Sequence, residues 1–242
     1  MSSTSFENYS KLAGSTDVGN TEVSGRYSFQ SLAERRIVLD VIEKLRLSSD
    51  DSLLEIGCGP GNLLIPLSYI VNHATGIDNE AALARLAARC GASSQVTLMA
   101  GDFLSMPLPP QLFSKILIYS VIQYMENPAQ ATAFAVRALS LLAPGGRLLL
   151  GDLPNRDKKS RFQSTPEGMR STAEWRSELS TVGPHPISGF PADGQLVEVD
   201  DVFTLRLLEV GRESGFESYL LPQPSNLPFG NSREDLIFVA PR

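Results

Sequence analysis

Glu55, Gly57, Gly59 and Gly61 stand at alternate positions in Leu53-Leu54-Glu55-Ile56-Gly57-Cys58-Gly59-Pro60-Gly61-Asn62. Glycine lacks a Cβ, so a glycine-rich turn lets backbone N–H groups come close to a ligand. An apolar run, three glycines and a helix-like segment describe a strand, a tight turn under a ligand and a helix. The acid at the turn, Glu55, suits a positively charged ligand and would repel a pyrophosphate. Asp78 follows 21 residues beyond Gly57, where a carboxylate can accept hydrogen bonds from two neighbouring hydroxyls, with Asn79 beside it. Asp102-Phe103 and Tyr119-Ser120 each close a later apolar run. Asp152 and His185 are the candidate general bases.

The elements that must position these groups alternate regularly. Val38, Val41, Ile42 and Leu45 recur at helical spacing within residues 31–47. After the glycine turn, residues 63–71 read as a helix with Pro66 in or near its first turn, where a missing N–H costs least. Residues 73–77 read as a strand ending at Asp78, and 81–90 as a helix stopped by Gly91. Strands are expected at 96–100, 115–119, 147–151, 216–221 and 235–240, and a helix at 129–142. Asp200 is placed to cap a helix bearing Val202, Leu205 and Leu208. Strands alternating with helices predict an α/β doubly wound, mainly parallel sheet. Residues 152–199 break that pattern. Residues 1–30, rich in Ser, Thr, Gly and Asn, read as a flexible segment or a lid, with 31–242 as one domain and 155–199 as an insert.

Composition narrows the class. The 242 residues carry a net charge of −6 from 21 basic and 27 acidic side chains, which argues against a nucleic-acid partner. Two cysteines make no disulfide framework, and with two histidines they leave little for a zinc site. No apolar run approaches the roughly 20 residues that span a bilayer, and residues 1–8 lack the apolar stretch of a signal peptide. The expectation is a cytoplasmic protein with no membrane or metal partner; the oligomeric state is left open.

Two cofactor classes use a glycine turn at the first strand of such a sheet. Dinucleotide binders follow Gly-x-Gly-x-x-Gly. Here the third glycine is Gly61, one residue early, and Asn62 takes its place. The segment resembles instead the first motif of the class I S-adenosylmethionine-dependent methyltransferases, Glu55 included. The resemblance extends over residues 50–152, through Asp78, Gly101-Asp102-Phe103, the 113–125 segment and the Leu141 to Leu150 turn with its Pro144-Gly145-Gly146. Ser114 departs from it, standing where an aspartate is common. The resemblance implies a three-layer Rossmann-like fold, with a seven-stranded, mostly parallel sheet and an antiparallel last strand. It further implies S-adenosyl-L-methionine as cofactor, bound by Glu55, Gly57, Cys58, Gly59, Gly61, Asn62, Asp78, Asn79, Asp102, Phe103, Tyr119 and Ser120.

Methyl transfer from a sulfonium is an in-line displacement, so positioning dominates and a base is needed chiefly for a hydroxyl acceptor. Asp152 follows the expected fifth strand and His185 lies between Pro184 and Pro186; Tyr119 and Gln123 are candidate polar groups of the pocket. The 155–199 insert is the expected acceptor-selecting element, with Lys158, Lys159 and Arg161 as candidates to hold a phosphate or carboxylate. The 152–161 and 223–235 segments faintly resemble methyltransferases of polysaccharide and sugar biosynthesis, which would make the acceptor a sugar or glycan hydroxyl. The expected activity is O- or N-methylation of a small molecule. A nicotinamide oxidoreductase and a non-catalytic cofactor-binding protein of the same fold stand as alternatives.

Overall fold

The computed structural model describes residues 3–90, 95–108, 110–189 and 196–242; the helix stop expected at Gly91 lies outside them. Seven strands, β1 (Ser52–Ile56), β2 (His73–Asp78), β3 (Val96–Ala100), β4 (Phe113–Tyr119), β5 (Leu142–Pro154), β6 (Glu217–Pro222) and β7 (Arg233–Val239), form one sheet in the order β3-β2-β1-β4-β5-β7-β6. Strands β1 to β5 are mutually parallel, and β7 runs antiparallel between β5 and β6. The predicted α/β Rossmann-like architecture is therefore present.

Alternation along the central strands builds two cores. Leu54, Ile116, Ile118, Leu148, Leu150, Leu236 and Phe238 pack on one face against Phe134 and Ala138 of α6 (Pro128–Leu139) and Phe203 and Leu207 of α9 (Asp201–Glu213). Leu53, Leu117, Leu149 and Ile237 point the other way, onto α3 (Ser31–Leu45), α4 (Leu64–Ser68) and α5 (Glu80–Cys90). Ser114 lies on the seam where β1 meets β4, donating to Asp51 Oδ1 at 2.8 Å.

Three expectations change. Residues 3–30 are not an unstructured tail: α1 (Ser3–Gly14) and α2 (Asn20–Val23) fold back, and Leu12, Ala13 and Val23 pack on Ala82 of α5. Few apolar residues are needed because polar side chains tie the segment down. The described residues of 155–199 include two α-helices, α7 (Arg156–Gln163) and α8 (Pro166–Val182), each started by a side-chain cap: Asn155 accepts from the amides of Asp157 and Lys158, and Thr165 from that of Gly168. Their sequence hid them because neither has a buried apolar stripe. In α9 the cap by Asp200 is present, but Val202 and Leu205 face solvent and Phe203 and Leu207 face the core. Among the described residues no helix is long and apolar enough to cross a membrane.

Candidate active site

The direction of strand order reverses between β1 and β4, and a cleft opens beyond their carboxyl ends, as expected for sheets of this kind. It encloses about 750 Å³, part of it open to solvent, and is bounded by Glu55, Gly57, Cys58, Gly59, Asn62, Asp78, Asn79, Tyr119 and Ser120. An adjoining chamber of about 270 Å³ shares Gly57 and Asp78 with it and is lined by Gly101, Asp102 and Phe103. Of the cofactor-binding residues read from the sequence, only Gly61 lines neither space.

The glycine turn explains its own composition. Gly57, Gly59 and Gly61 have φ of 78°, 53° and 83°, a region that side chains disfavour. A Cβ on Gly57 would lie 2.5 Å from Val121, and one on Gly61 2.7 Å from Leu86, so these two serve close packing. A Cβ on Gly59 would meet nothing within 4 Å and would project into open space. Gly59 is thus the glycine whose bare face is left for a ligand.

Asp78 braces that turn. Its Oδ2 accepts from the Gly59 amide at 2.7 Å, while its Oδ1 accepts from the amide and side chain of Asn79 at 2.7 and 2.8 Å. The two places on Oδ1 are filled, so one place on Oδ2 is open to a hydroxyl, where the sequence suggested two-handed acceptance. Burial pushes the Asp78 carboxyl up, and these hydrogen bonds pull against it. Glu55 is buried with Oε2 unpartnered. Burial and then the charge of Asp78 push its carboxyl well above the usual range. An unpaired carboxylate in a closed wall is costly unless a cation or donor meets it. Burial pushes the Cys58 thiol up as well, which makes it an inert filler of the turn.

In the side chamber, Asp102 Oδ1 accepts from the Leu104 amide at 3.1 Å. Phe103 is buried edge-on to Phe134, with ring centroids 5.0 Å apart. Asn62 acts chiefly as a joint. Its Nδ2 donates to Asn20 O, Ser24 Oγ and Glu34 Oε1 at 3.2, 2.9 and 2.9 Å, and its Oδ1 accepts from Arg89 at 2.7 Å.

Neither candidate base faces the cleft. Asp152 is fully buried, its Oδ2 2.6 Å from Arg26 Nη2 and hydrogen-bonded by Ser120, and its amide donates to Asp235 Oδ1 at 2.8 Å. His185 uses both ring nitrogens: Nδ1 accepts from the Ile187 amide at 3.2 Å, which leaves Nε2–H to donate to Arg26 O at 3.2 Å. Burial holds its imidazole below the usual range. It packs edge-on to Tyr27, with ring centroids 5.3 Å apart. Lys158 is spent on Arg233 O at 2.6 Å and Arg161 on Asp201 Oδ2 at 2.5 Å, so neither is poised for an anion. Tyr119 accepts from Gln223 Nε2 at 3.0 Å. Gln123 lies outside the cleft wall, partly buried with Oε1 unpartnered.

The sequence offered residues 1–30 as a possible lid but singled out none of the residues that supply a wall from positions 9–37. Tyr9, Val23, Ser24, Arg26, Glu34 and Ile37 all line the cleft, and Tyr9 Oη lies 2.5 Å from Tyr124 Oη. The one available signal was Gly25-Arg26-Tyr27, a cation beside an aromatic in an otherwise polar stretch. Trp175 of α8 closes the arrangement, its ring centroid 5.4, 5.1 and 5.2 Å from those of Tyr27, Phe29 and Phe229.

Residues 53–146 match the protein family described as a methyltransferase domain. An uncharacterized methyltransferase of Geobacillus thermodenitrificans is 31% identical over 119 residues, covering 49% of this chain and 54% of that protein. The chain spans about half the length of the curated relatives it matches. Among solved structures, N-methyltransferase NodS from Bradyrhizobium japonicum, in complex with S-adenosyl-L-homocysteine, superposes with a TM-score of 0.62 at 18% identity, over 99% of this chain and all of that one. Phosphoethanolamine N-methyltransferase 1 of Haemonchus contortus gives 0.67 at 13% identity, over 98% of this chain and 49% of that one.

Proposed function

We propose that this chain, whose residues 53–146 match the methyltransferase-domain family, transfers a methyl group from S-adenosyl-L-methionine to a small-molecule acceptor. The observation that carries the reading is the pairing, in one cleft, of Glu55's unpartnered buried carboxyl with the open face of Gly59. The cofactor's methionine end brings an ammonium and a sulfonium to a wall that has an unmatched acid. Its ribose would meet the open place on Asp78 Oδ2, and its adenine the side chamber of Asp102 and Phe103. A dinucleotide would instead press a pyrophosphate on Glu55 and Asp78.

The bound cofactor would supply the activated methyl group. The chain's own part is to orient and to exclude water. Asp78 fixes the Gly59 amide, Asn62 ties the glycine turn to residues 20–34, and Arg26 holds the N-terminal segment against the ends of β4 and β5. The sealed positions of Asp152 and His185 favour an acceptor nucleophilic enough as a neutral group to react without a base from the cleft. An amine is therefore the first acceptor class to try, in keeping with the two N-methyltransferases above, and a sugar hydroxyl the second.

Calorimetry with S-adenosylmethionine, S-adenosylhomocysteine and NAD tests the cofactor. Binding of the first two without NAD is expected, and binding of NAD alone would remove the assignment. Labelled S-adenosylmethionine incubated with amine and hydroxyl acceptors then tests catalysis.

A further inference from the structure

Glu55 and Asp78 stand at the cleft end of adjacent strands. Glu55 pairs in register with Gly76, so Asp78, two residues on, projects on the same face of the sheet. Both are buried, and both line the cleft. Their surroundings differ. Asp78 receives three N–H donors, from the Gly59 amide and from the amide and side chain of Asn79. Glu55 receives none at Oε2. Two buried carboxylates in one wall do not both ionise without a cation, and the one with donors keeps its charge. The proton therefore sits on Glu55, whose carboxyl is pushed well above the usual range by burial and then by Asp78.

The chain does not answer that acid with a charge of its own. Among the described residues that bound the cleft, Arg26 is the cation, and Asp152 claims it: Arg26 Nη2 lies 2.6 Å from Asp152 Oδ2 and 2.6 Å from Ser120 Oγ. Ser120 and Asp152 are both left-handed, with φ of 60° and 62°, and hold that grip from the ends of β4 and β5. Arg89 of α5, behind the glycine turn, is spent on Pro60 O and Asn62 Oδ1. The other titratable groups of the wall are acids. Glu34 of α3 accepts from Asn62, and Tyr124 Oη is bonded to Tyr9 Oη of α1. Burial keeps the phenols of Tyr9 and Tyr119 protonated; burial, Asp78 and Glu55 do the same for the Cys58 thiol.

We propose that the cleft exchanges a proton for its ligand's positive charge: Glu55 is a neutral carboxylic acid before the ligand binds, and gives its proton to solvent when a cationic group enters. The inference rests on the methyl-transfer reading, which supplies that cation as the ammonium of the cofactor's methionine end. One O–H bond breaks, one ion pair forms, the proton leaves to buffer, and no electrons are transferred. Cofactor capture is thereby linked to pH, and release of the product takes a proton back. A neutral ligand that fills only the Asp78 side of the cleft draws no proton.

Calorimetry of S-adenosylhomocysteine binding in MES and in bis-Tris, whose heats of ionisation differ, counts the protons. At about pH 6 an ordinary glutamate is already ionised and the ligand's ammonium stays protonated, so the count reports the protein. Wild type is expected to release at least about half a proton per ligand, and E55Q none. Wild type should release none to 5′-methylthioadenosine, which has the adenosine but no ammonium. Affinity of wild type for S-adenosylhomocysteine should rise with pH, by up to about tenfold per unit, while that for 5′-methylthioadenosine stays level. Where E55Q binds too weakly to titrate, infrared difference spectra decide. S-adenosylhomocysteine should remove a protonated-carboxyl band from wild type, and E55Q should lack that band from the start. Binding by wild type with no proton released and no band lost would overturn the proposal. So would the same release from E55Q, or from wild type with 5′-methylthioadenosine, which would move the proton to Asp78. Failure of wild type to bind either adenosine ligand would instead remove the methyl-transfer reading and this inference with it.

Discussion

Asp78 Oδ2 accepts a 2.7 Å hydrogen bond from the backbone amide of Gly59, so the acid that ends β2 holds the turn that ends β1. Loss of that carboxylate removes a ligand contact and the brace together. Asp78→Ala should weaken S-adenosylhomocysteine binding by about 1.5–3 kcal/mol, the scale of hydrogen bonds to a charged group. Calorimetry reads the change, and an unaltered affinity would disconnect Asp78 from the ligand.

Glu55→Gln should separate binding from stability. Burial raises the Glu55 carboxyl well above its ordinary 4.5, so the folded state holds that proton more tightly than the unfolded one. Wild type then has this stability in full below about pH 4.5 and loses it as pH rises through the folded value. The variant has no such proton. Its ligand-free form should melt higher than wild type at pH 8, with the gap closing toward pH 4.5, while its affinity for S-adenosylhomocysteine falls. Parallel melting curves across pH would contradict the buried carboxyl.

Two glycines in one turn should fail differently. Gly59→Val should fold, at about 1–2 kcal/mol for a left-handed residue, and lose ligand binding because its side chain stands in the cleft. Gly61→Ala puts its methyl 2.7 Å from Leu86 and should lose stability instead, by about 1–3 kcal/mol for overpacking besides the backbone strain. Thermal melts paired with ligand titrations distinguish the two.

Asp152→Ala should act as a folding defect. Breaking a buried ion pair from one side costs about 3–5 kcal/mol, and Asp152 is fully buried against Arg26. Chemical denaturation measures this. His185→Gln should leave the pH profile of methyl transfer unmoved, since both ring nitrogens are engaged away from the cleft. A profile that lost its acidic limb in either variant, with stability intact, would restore that residue as a base.

The sheet and the glycine turn were legible because short local patterns report them directly: uninterrupted apolar runs such as Leu53-Leu54 and Ile116-Leu117-Ile118, and glycines at every second position. The N-terminal segment was legible only as a possible lid, and its wall residues were not. Arg26, Tyr9 and Ser24 are held by hydrogen bonds to residues roughly 40 to 130 positions away, and such pairings leave no local pattern. Asp152 and His185 were singled out by position after a strand or between prolines. Neither signal tells whether a titratable group is offered to a ligand or spent on a neighbour. Helix α8 escaped because Met169 and Val182 face solvent, and its packing rests on Trp175 meeting aromatic rings brought from two other parts of the chain.

The left-handed bend at Asp152 also sets the reading frame of the residues beyond it. The pairing of β5 with β7 slips between Leu150 and Leu153, and the bend absorbs the extra length. A residue that straightened it would restore strict alternation and turn the next side chains to opposite faces of the sheet. Leu153 would leave the core, and Asn155 would move off the first turn of α7 and away from Asp201 and Glu234. One backbone angle thus works as a phase marker, deciding which face each residue between the sheet and the helices of 155–199 will present.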